Sequence, residues 1–285
     1  MRKPPGQPGG FLFEMETMEE AIRRSDEERY FAALFAPADR RAHLFTLFAL
    51  NNELARIAET AREPMMGAIR LQWWRETIES AKEGRPRDHE LARALAQLFA
   101  AHDLPLGPFD AMIDAREMDA ADIEFPDLKA LEDYADATSG NLMRLASRVS
   151  GQASDDLARD AGIAHALTGI LRAVPFHAAR RKVYLPADLL AAAGTSRDDI
   201  LATHSGKKLD PVIAALAESA RAHLAKARAL PKPGVALPAF LPAATTPLYL
   251  NRMTAPDFDS FHHAVDVPLF RRQFAMLRAT WRGRI

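Results

Sequence analysis

No cysteine occurs among the 285 residues. Disulfide scaffolds, thiolate zinc sites, iron–sulfur clusters and cysteine nucleophiles are therefore excluded. Aromatic residues are sparse at 8%, with three Trp and four Tyr, and no uncharged run approaches the ~18 residues that a membrane-spanning helix needs. An excess of either charge is also missing: 37 Lys and Arg stand against 38 Asp and Glu, a net charge of -1. That balance argues against a nucleic-acid partner, which calls for a strongly basic face. The opening Met1-Arg2-Lys3-Pro4-Pro5-Gly6 has no apolar signal-type segment. Residues 1–15 are expected to be a disordered lead-in, and the protein to be cytoplasmic. P-loop, GxSxG and dinucleotide fingerprints are all missing.

What is present has helical period. Leu44, Leu47, Phe48, Leu50, Leu54 and Ile57 follow the i, i+3, i+4, i+7 spacing of one buried helix face. The stretches 65–82, 88–101, 105–119, 128–149, 155–181, 208–229 and 262–281 are Ala- and Leu-rich and mostly free of internal Pro. They are separated by turn formers such as Gly84-Arg85-Pro86 and Pro231-Lys232-Pro233-Gly234. Period-two alternation is not sustained anywhere. The expectation is an all-α chain of about eight to eleven helices, forming one domain over residues 16–285.

Charge is unevenly placed. Residues 110–136 hold ten acids against Arg116 and Lys129, and the C-terminal region holds Arg271, Arg272, Arg278, Arg282 and Arg284 with no acid among them. Each run reads first as a solvated helix face; docking on a protein or an anionic membrane surface is the alternative. Asp110 and Asp114 have the spacing of a magnesium site but sit inside the acidic run, which favours solvation. His102, His165, His223, His262 and His263 do not pair with acids at zinc-site spacing.

Three segments mix polar and bulky residues inside apolar helices. On the first, Asn51, Ala55 and Glu59 share a face beside the Leu47/Leu54 stripe. Asn51 is therefore either a structural hydrogen-bonding group or part of a cavity lining. The second, Arg70-Leu71-Gln72-Trp73-Trp74-Arg75, reads as a packing anchor before it reads as a ligand platform. In the third, Pro175 predicts a kink and places Ala173 and His177 on one face. Arg180, Arg181 and Lys182 follow, either compensating a helix C-terminus or forming an anion or partner site.

In this order and spacing the segments resemble the squalene/phytoene synthase family over roughly residues 25–280. The landmarks are Leu47-Phe48-Ala49-Leu50, Leu71-Gln72-Trp73-Trp74-Arg75, Leu131-Glu132-Asp133-Tyr134 leading to Thr138-Ser139-Gly140, Ile170-Leu171-Arg172, and Tyr184-Leu185-Pro186. The resemblance implies an isoprenoid-synthase-type helical bundle around a central cavity, where two aspartate-rich helical motifs hold Mg²⁺ on prenyl diphosphates. Here the leading aspartates of the first motif fall on Ala55 and Arg56, leaving Glu59 as its carboxylate. Those of the second fall on Ala173 and His177. No metal and no cofactor are therefore expected, Mg²⁺ entering only if prenyl transfer survives.

Leu171-Arg172-Ala173-Val174-Pro175-Phe176-His177 running into Arg180-Arg181-Lys182-Val183-Tyr184 is similar to the complex I assembly-factor branch of the same superfamily. So are Asn51-x-Glu53-Leu54-Ala55 and Asp257-Phe258-Asp259-Ser260-Phe261-His262. This implies a non-catalytic role in assembling the respiratory NADH dehydrogenase, with its subunits or assembly factors as partners. An isoprenoid or anionic lipid is the implied ligand, and membrane contact is at most peripheral, at the inner face of the inner membrane. The alternatives are an active head-to-head prenyltransferase with ligands relocated to Glu59, Glu53, Asp110 or Asp114, and an isoprenoid carrier. Asn51, Glu59, Gln72, Tyr134, Arg172, His177, Arg180, Arg181, Lys182 and Tyr184 are the candidate cavity residues.

Overall fold

A computed structural model describes residues 18–60, 63–203, 207–263 and 265–285, the side chains of residues 58–60, 203 and 207 excepted. The expected N-terminal lead-in and the Glu59 side chain lie outside the described residues. Among the described residues every regular element is helical. After a helical stretch at 18–25 the order begins α1 (Glu27–Leu34), α2 (Ala38–Thr60), α3 (Pro64–Lys82), α4 (Glu90–Ala101), α5 (Gly107–Ala121) and α6 (Leu128–Ala135). It continues with α7 (Asn141–Val149), α8 (Asp155–Arg172), α9 (Val174–Ala179), α10 (Ala187–Ala192) and α11 (Arg197–Thr203). The last four are α12 (Asp210–Ala229), α13 (Leu237–Phe240), α14 (Thr246–Met253) and α15 (Leu269–Arg282).

These helices are more numerous and shorter than the eight to eleven expected, because punctuation inside the apolar stretches breaks them. The stretch 128–149 is divided by a π-helical turn at Asp136–Gly140. The stretch 155–181 ends at Arg172 and restarts at Val174, so Pro175 starts a new helix where a bend within one was expected. Its missing N–H falls in the first turn, where no intrahelical partner is needed. The last stretch becomes helical only at Leu269, after Pro268.

Local chemistry sets the other ends. Asp26 caps α1 by accepting the Arg29 N–H at 3.0 Å, and Asp127 caps α6 by accepting the Ala130 N–H at 2.8 Å. Pro64, Pro108 and Pro211 open α3, α5 and α12. The stripe read from Leu44 to Ile57 is the buried face of α2. Trp74 is buried, and Trp73, Trp74 and His89 meet edge to face, which is the packing role read for the tandem Trp.

Helix α8 is central, packing on α7, the π turn, α12 and α14. Its closest approach is backbone to backbone. A Cβ added at Gly162 would lie 2.5 Å from both the Cα and the N of Gly140. The apolar interior forms two clusters. One centres on α2–α5, α7 and the N-terminal half of α8. The other takes the C-terminal half of α8 with α6, α12 and α14.

The acidic run is largely paired across helices and is not left to solvent alone. Arg75 on α3 reaches Asp110 at 2.9 Å, Asp114 at 2.6 Å and Glu117 at 3.5 Å on α5. Asp110 and Asp114 thus serve as helix-joining anions. Replacing Arg75 by Met should lower unfolding free energy by about 1–2 kcal/mol, the range for charge-assisted bonds at a half-buried site. Urea unfolding at low and high salt checks this; an unchanged midpoint at low salt would dismiss the clamp.

Candidate functional site

A cavity of about 640 Å³ opens between the two apolar clusters. Helix α2 supplies Asn51 and Ala55, the end of α8 supplies His165, Gly169 and Ala173, and α9 supplies Phe176, His177 and Arg180. The end of α5 adds Arg116, Asp119 and Asp122, α6 adds Tyr134, and the loop after α9 adds Lys182 and Tyr184. Both degenerate motifs therefore face one space, through Ala55 on one side and Ala173 and His177 on the other.

One end of the cavity is a closed polar network. Arg116 Nη1 donates to the Tyr134 hydroxyl at 2.5 Å and to Asp119 Oδ2 at 2.9 Å, and the Tyr134 hydroxyl donates to the same oxygen at 2.8 Å. Asp119 Oδ1 is buried with no geometric hydrogen-bond partner. Burial first, and then the Asp119 charge, push the phenols of Tyr134 and Tyr184 well above their ordinary range, so both stay protonated donors.

The loop after α9 brings in the cations. Arg181 adopts the left-handed conformation, φ 59°, and the Lys182 N–H returns to the His177 carbonyl at 2.9 Å. This reversal carries the Lys182 ammonium to the Asp119 carbonyl at 2.7 Å and to Asp122 at 3.2 Å. Arg180 stacks on Phe176, its guanidinium carbon 3.5 Å from the ring centre. His177 lies 4.5 Å, centre to centre, from Tyr184. Burial, helped by Arg180 and Arg116, pushes His177 down to about 4, so it is neutral at ordinary pH.

Of the candidate residues, Asn51, Tyr134, His177, Arg180, Lys182 and Tyr184 come together here. Three others do not. Gln72 is exposed on α3 and donates to Glu76 at 3.1 Å, because its helix turns Leu71 and Trp74 inward instead. Arg172 points the other way along α8, lying 3.8 Å over the Tyr249 ring and 3.8 Å from Glu28. Glu28 is itself buried and accepts from Thr245 and Tyr249, so Arg172 belongs to a structural anchor of α1. Arg181 is exposed, and its carbonyl accepts from Arg197 at 3.1 Å. Arg56 is exposed outside the lining.

Arg116, Asp119 and Arg29 are cavity residues that the motif reading missed. The signal available was Arg116 itself, one of only two cations in a run of ten acids.

The donor chemistry does not fit Mg²⁺ at the motif positions. Ala55 and Ala173 carry no ligand atom, and His177 offers a nitrogen where a hard ion takes oxygen. The cavity carboxylates already face cations, Asp119 through Oδ2 with Arg116 and Asp122 with Lys182 and Arg197. The one oxygen left over, Asp119 Oδ1, is too few for a hard divalent ion. Among the described residues no three His, Asp or Glu side chains gather into a metal-holding group, and no helix is long and apolar enough to cross a membrane.

The model of the squalene/phytoene synthase family matches residues 22–273. The human protein named NADH dehydrogenase (ubiquinone) complex I, assembly factor 6, is 34% identical over 248 residues, covering 85% of this chain and 74% of the relative. A presqualene diphosphate synthase from Rhodopseudomonas palustris is 32% identical over 202 residues, covering 70% and 72%. Among solved structures, a dehydrosqualene synthase superposes with a TM-score of 0.79 at 17% identity, covering 96% of this chain and 98% of its own. A squalene synthase from Alicyclobacillus acidocaldarius gives 0.70 at 20% identity, with 97% of each chain covered. The all-α fold is thus the isoprenoid-synthase bundle, and the chain belongs to the squalene/phytoene synthase family.

Proposed function

We propose that this chain is a non-catalytic member of its family that acts in the assembly of respiratory complex I. The observation that carries the reading is the replacement of metal-ligand positions on both walls of one cavity, by Ala55 on α2 and by Ala173 and His177 across from it. Diphosphate ionisation in such a site depends on a divalent ion, and the cations Arg116, Arg180 and Lys182 oppose one there. The relocated ligands that prenyl transfer would need are also dispersed. Glu53 pairs with Arg70 at 3.2 Å, and Asp110 and Asp114 are held on Arg75 outside the cavity lining. Identity to complex I assembly factor 6 across most of the chain supports the biological role, with NADH dehydrogenase subunits or their assembly factors as the partners.

A second reading is favoured by the cavity itself. About 640 Å³, polar where Arg116, Asp119 and Tyr134 meet and apolar at Ala166, Ile170 and Phe176, with Arg180 and Lys182 in the lining, is room for the head of an anionic isoprenoid or lipid, bound without turnover. Arg180 pairs with no carboxylate among the described residues and is free to meet such a head.

The test is deletion of the gene in the source organism, read as assembled complex I on native gels and NADH oxidation by membranes. A severalfold loss is expected, restored by the parent and by Glu59→Ala, but not by Arg180→Glu. Assembly that is unaffected by the deletion would remove the proposed role. A Mg²⁺-dependent coupled product from farnesyl or geranylgeranyl diphosphate, seen with purified protein and reductant, would overturn the non-catalytic reading.

A further inference from the structure

Helix α15 carries a feature that neither the cavity nor the family accounts for. Its inner face is fixed by Met276 and Ala279, both buried, and by Arg272, which pairs with Glu27 at 2.9 Å and Glu28 at 3.7 Å. Phe270, Phe274, Leu277 and Trp281 repeat at i, i+4, i+7 and i+11, and so form a second stripe. All four are more than half exposed, Trp281 at 86%. Leu34 at the end of α1 and Phe35 just after it extend the patch beside them, around a shallow hollow of about 440 Å³.

Four large apolar side chains facing outward in one line require an occupant, and the charge around them selects it. Arg271, Arg278 and Arg282 lie along the flank of the apolar stripe, and Arg284 and Arg228 join them around a groove of about 930 Å³. No acid occurs from Val267 to Ile285. Among the described residues, Arg271, Arg278, Arg282 and Arg284 form no ion pair with an aspartate or glutamate, whereas Arg272 on the inner face does. The cations act on one another instead: burial, Arg278 and Arg282 lower the proton affinity of Arg228. A concentration of unneutralised positive charge on a chain of net charge -1 calls for an extended anionic surface.

We propose that α15 docks the protein on an anionic lipid bilayer, lying in the plane of the interface. The stripe from Phe270 to Trp281 enters the acyl boundary while Arg271, Arg278, Arg282 and Arg284 stay at headgroup level. Aromatic side chains beside guanidinium groups are the composition of interfacial helices. Each cation near such a surface contributes about fivefold in partition. The docking is independent of whether the cavity binds a ligand or complex I assembly is the function, because it uses the opposite face of α15 from its packing side.

The test uses the full chain with vesicles of phosphatidylcholine, with and without phosphatidylglycerol. The parent protein is expected to float with the phosphatidylglycerol vesicles at low salt, to release at high salt, and to show a blue shift in Trp emission. Arg278→Glu/Arg282→Glu and, separately, Phe274→Ser/Leu277→Ser should each lose at least tenfold in partition while keeping the parent's unfolding midpoint. The proposal fails if the parent ignores the anionic vesicles or if both folded variants float as the parent does. It also fails if the patch instead closes a dimer in solution that the variants convert to monomer.

Discussion

A Gly162→Val variant is expected not to accumulate as folded protein, and Gly162→Ala to lose about 3 kcal/mol of stability or more, at the upper end for overpacked sites. The cause is where α8 crosses the π turn. The first carbon of any side chain at Gly162 would meet the Cα and N of Gly140 at 2.5 Å and the Ser139 carbonyl carbon at 2.9 Å. Those atoms are backbone and cannot rotate aside. Retreat on the other side is blocked as well, because Gly140 is packed against the Asp136 carboxylate, which Arg144 holds at 2.8 Å. Against a total of ~5–15 kcal/mol for a domain, the Ala variant would remain measurable by urea unfolding, its midpoint lowered at unchanged slope. A loss below about 1 kcal/mol would mean that the two helices do not approach this closely.

Acidification from about pH 7.5 to about pH 5 should remove roughly 3–5 kcal/mol of stability, well before the carboxylates titrate. His102 and His43 share a hydrogen bond at 2.8 Å between α2 and the end of α4. Burial, followed by His43 and Arg40, pushes His102 down to about 4. Burial and Arg40 also lower His43. His177 falls to about 4, and burial and Arg29 push His165 down. All four are bases with depressed folded values. The unfolded chain therefore takes up protons below its ordinary ~6.5 while the folded chain does not. The stability is whole above that value and is lost as pH falls toward about 4. A histidine held at about 4 in the folded state would contribute about 2 kcal/mol at pH 5, and each of these four contributes less, since all are partly exposed and water reaches them. Urea unfolding at the two pH values measures the loss, and His177→Asn should flatten part of it. A pH-independent midpoint would show that these histidines protonate freely in the folded state.

Much of the bundle was legible because its helices announce themselves by period. The Leu44–Ile57 stripe is buried as read, and breaks fall where Pro and Gly stand. What periodicity does not carry is the rotational setting of each helix against its neighbours. Gln72 and Arg172 sit inside the landmark segments, yet their helices are turned so that Leu71 and Trp74, or Leu171, take the inner positions. The π turn at Asp136–Gly140 was invisible for a related reason: it exists to let Gly140 lie on Gly162, a contact between segments far apart in the chain. In the site, the two motif walls were legible because their residue types are anomalous for helices that should hold metal. The Arg116–Asp119–Tyr134 network was not, because Asp119 looks like its nine acidic neighbours in the run until burial singles it out. Arg180 and Lys182 enter the cavity and Arg181 does not, a division that only the left-handed turn at Arg181 determines.

The cavity lies on the seam between two apolar clusters, and that position governs how it can open. A ligand long enough to fill it need not wait for either core to unfold. Sliding of α9 and the Lys182–Tyr184 loop relative to α2 would widen the mouth while the first interior stays packed, and it would disturb the second only at its edge, at Val174 and Ala178. Motion of this sort belongs to the microsecond-to-millisecond range of helices shifting past one another. Its free-energy cost would sit well below that of global unfolding, so that amide exchange in α9 proceeds while the centre of α8 stays protected.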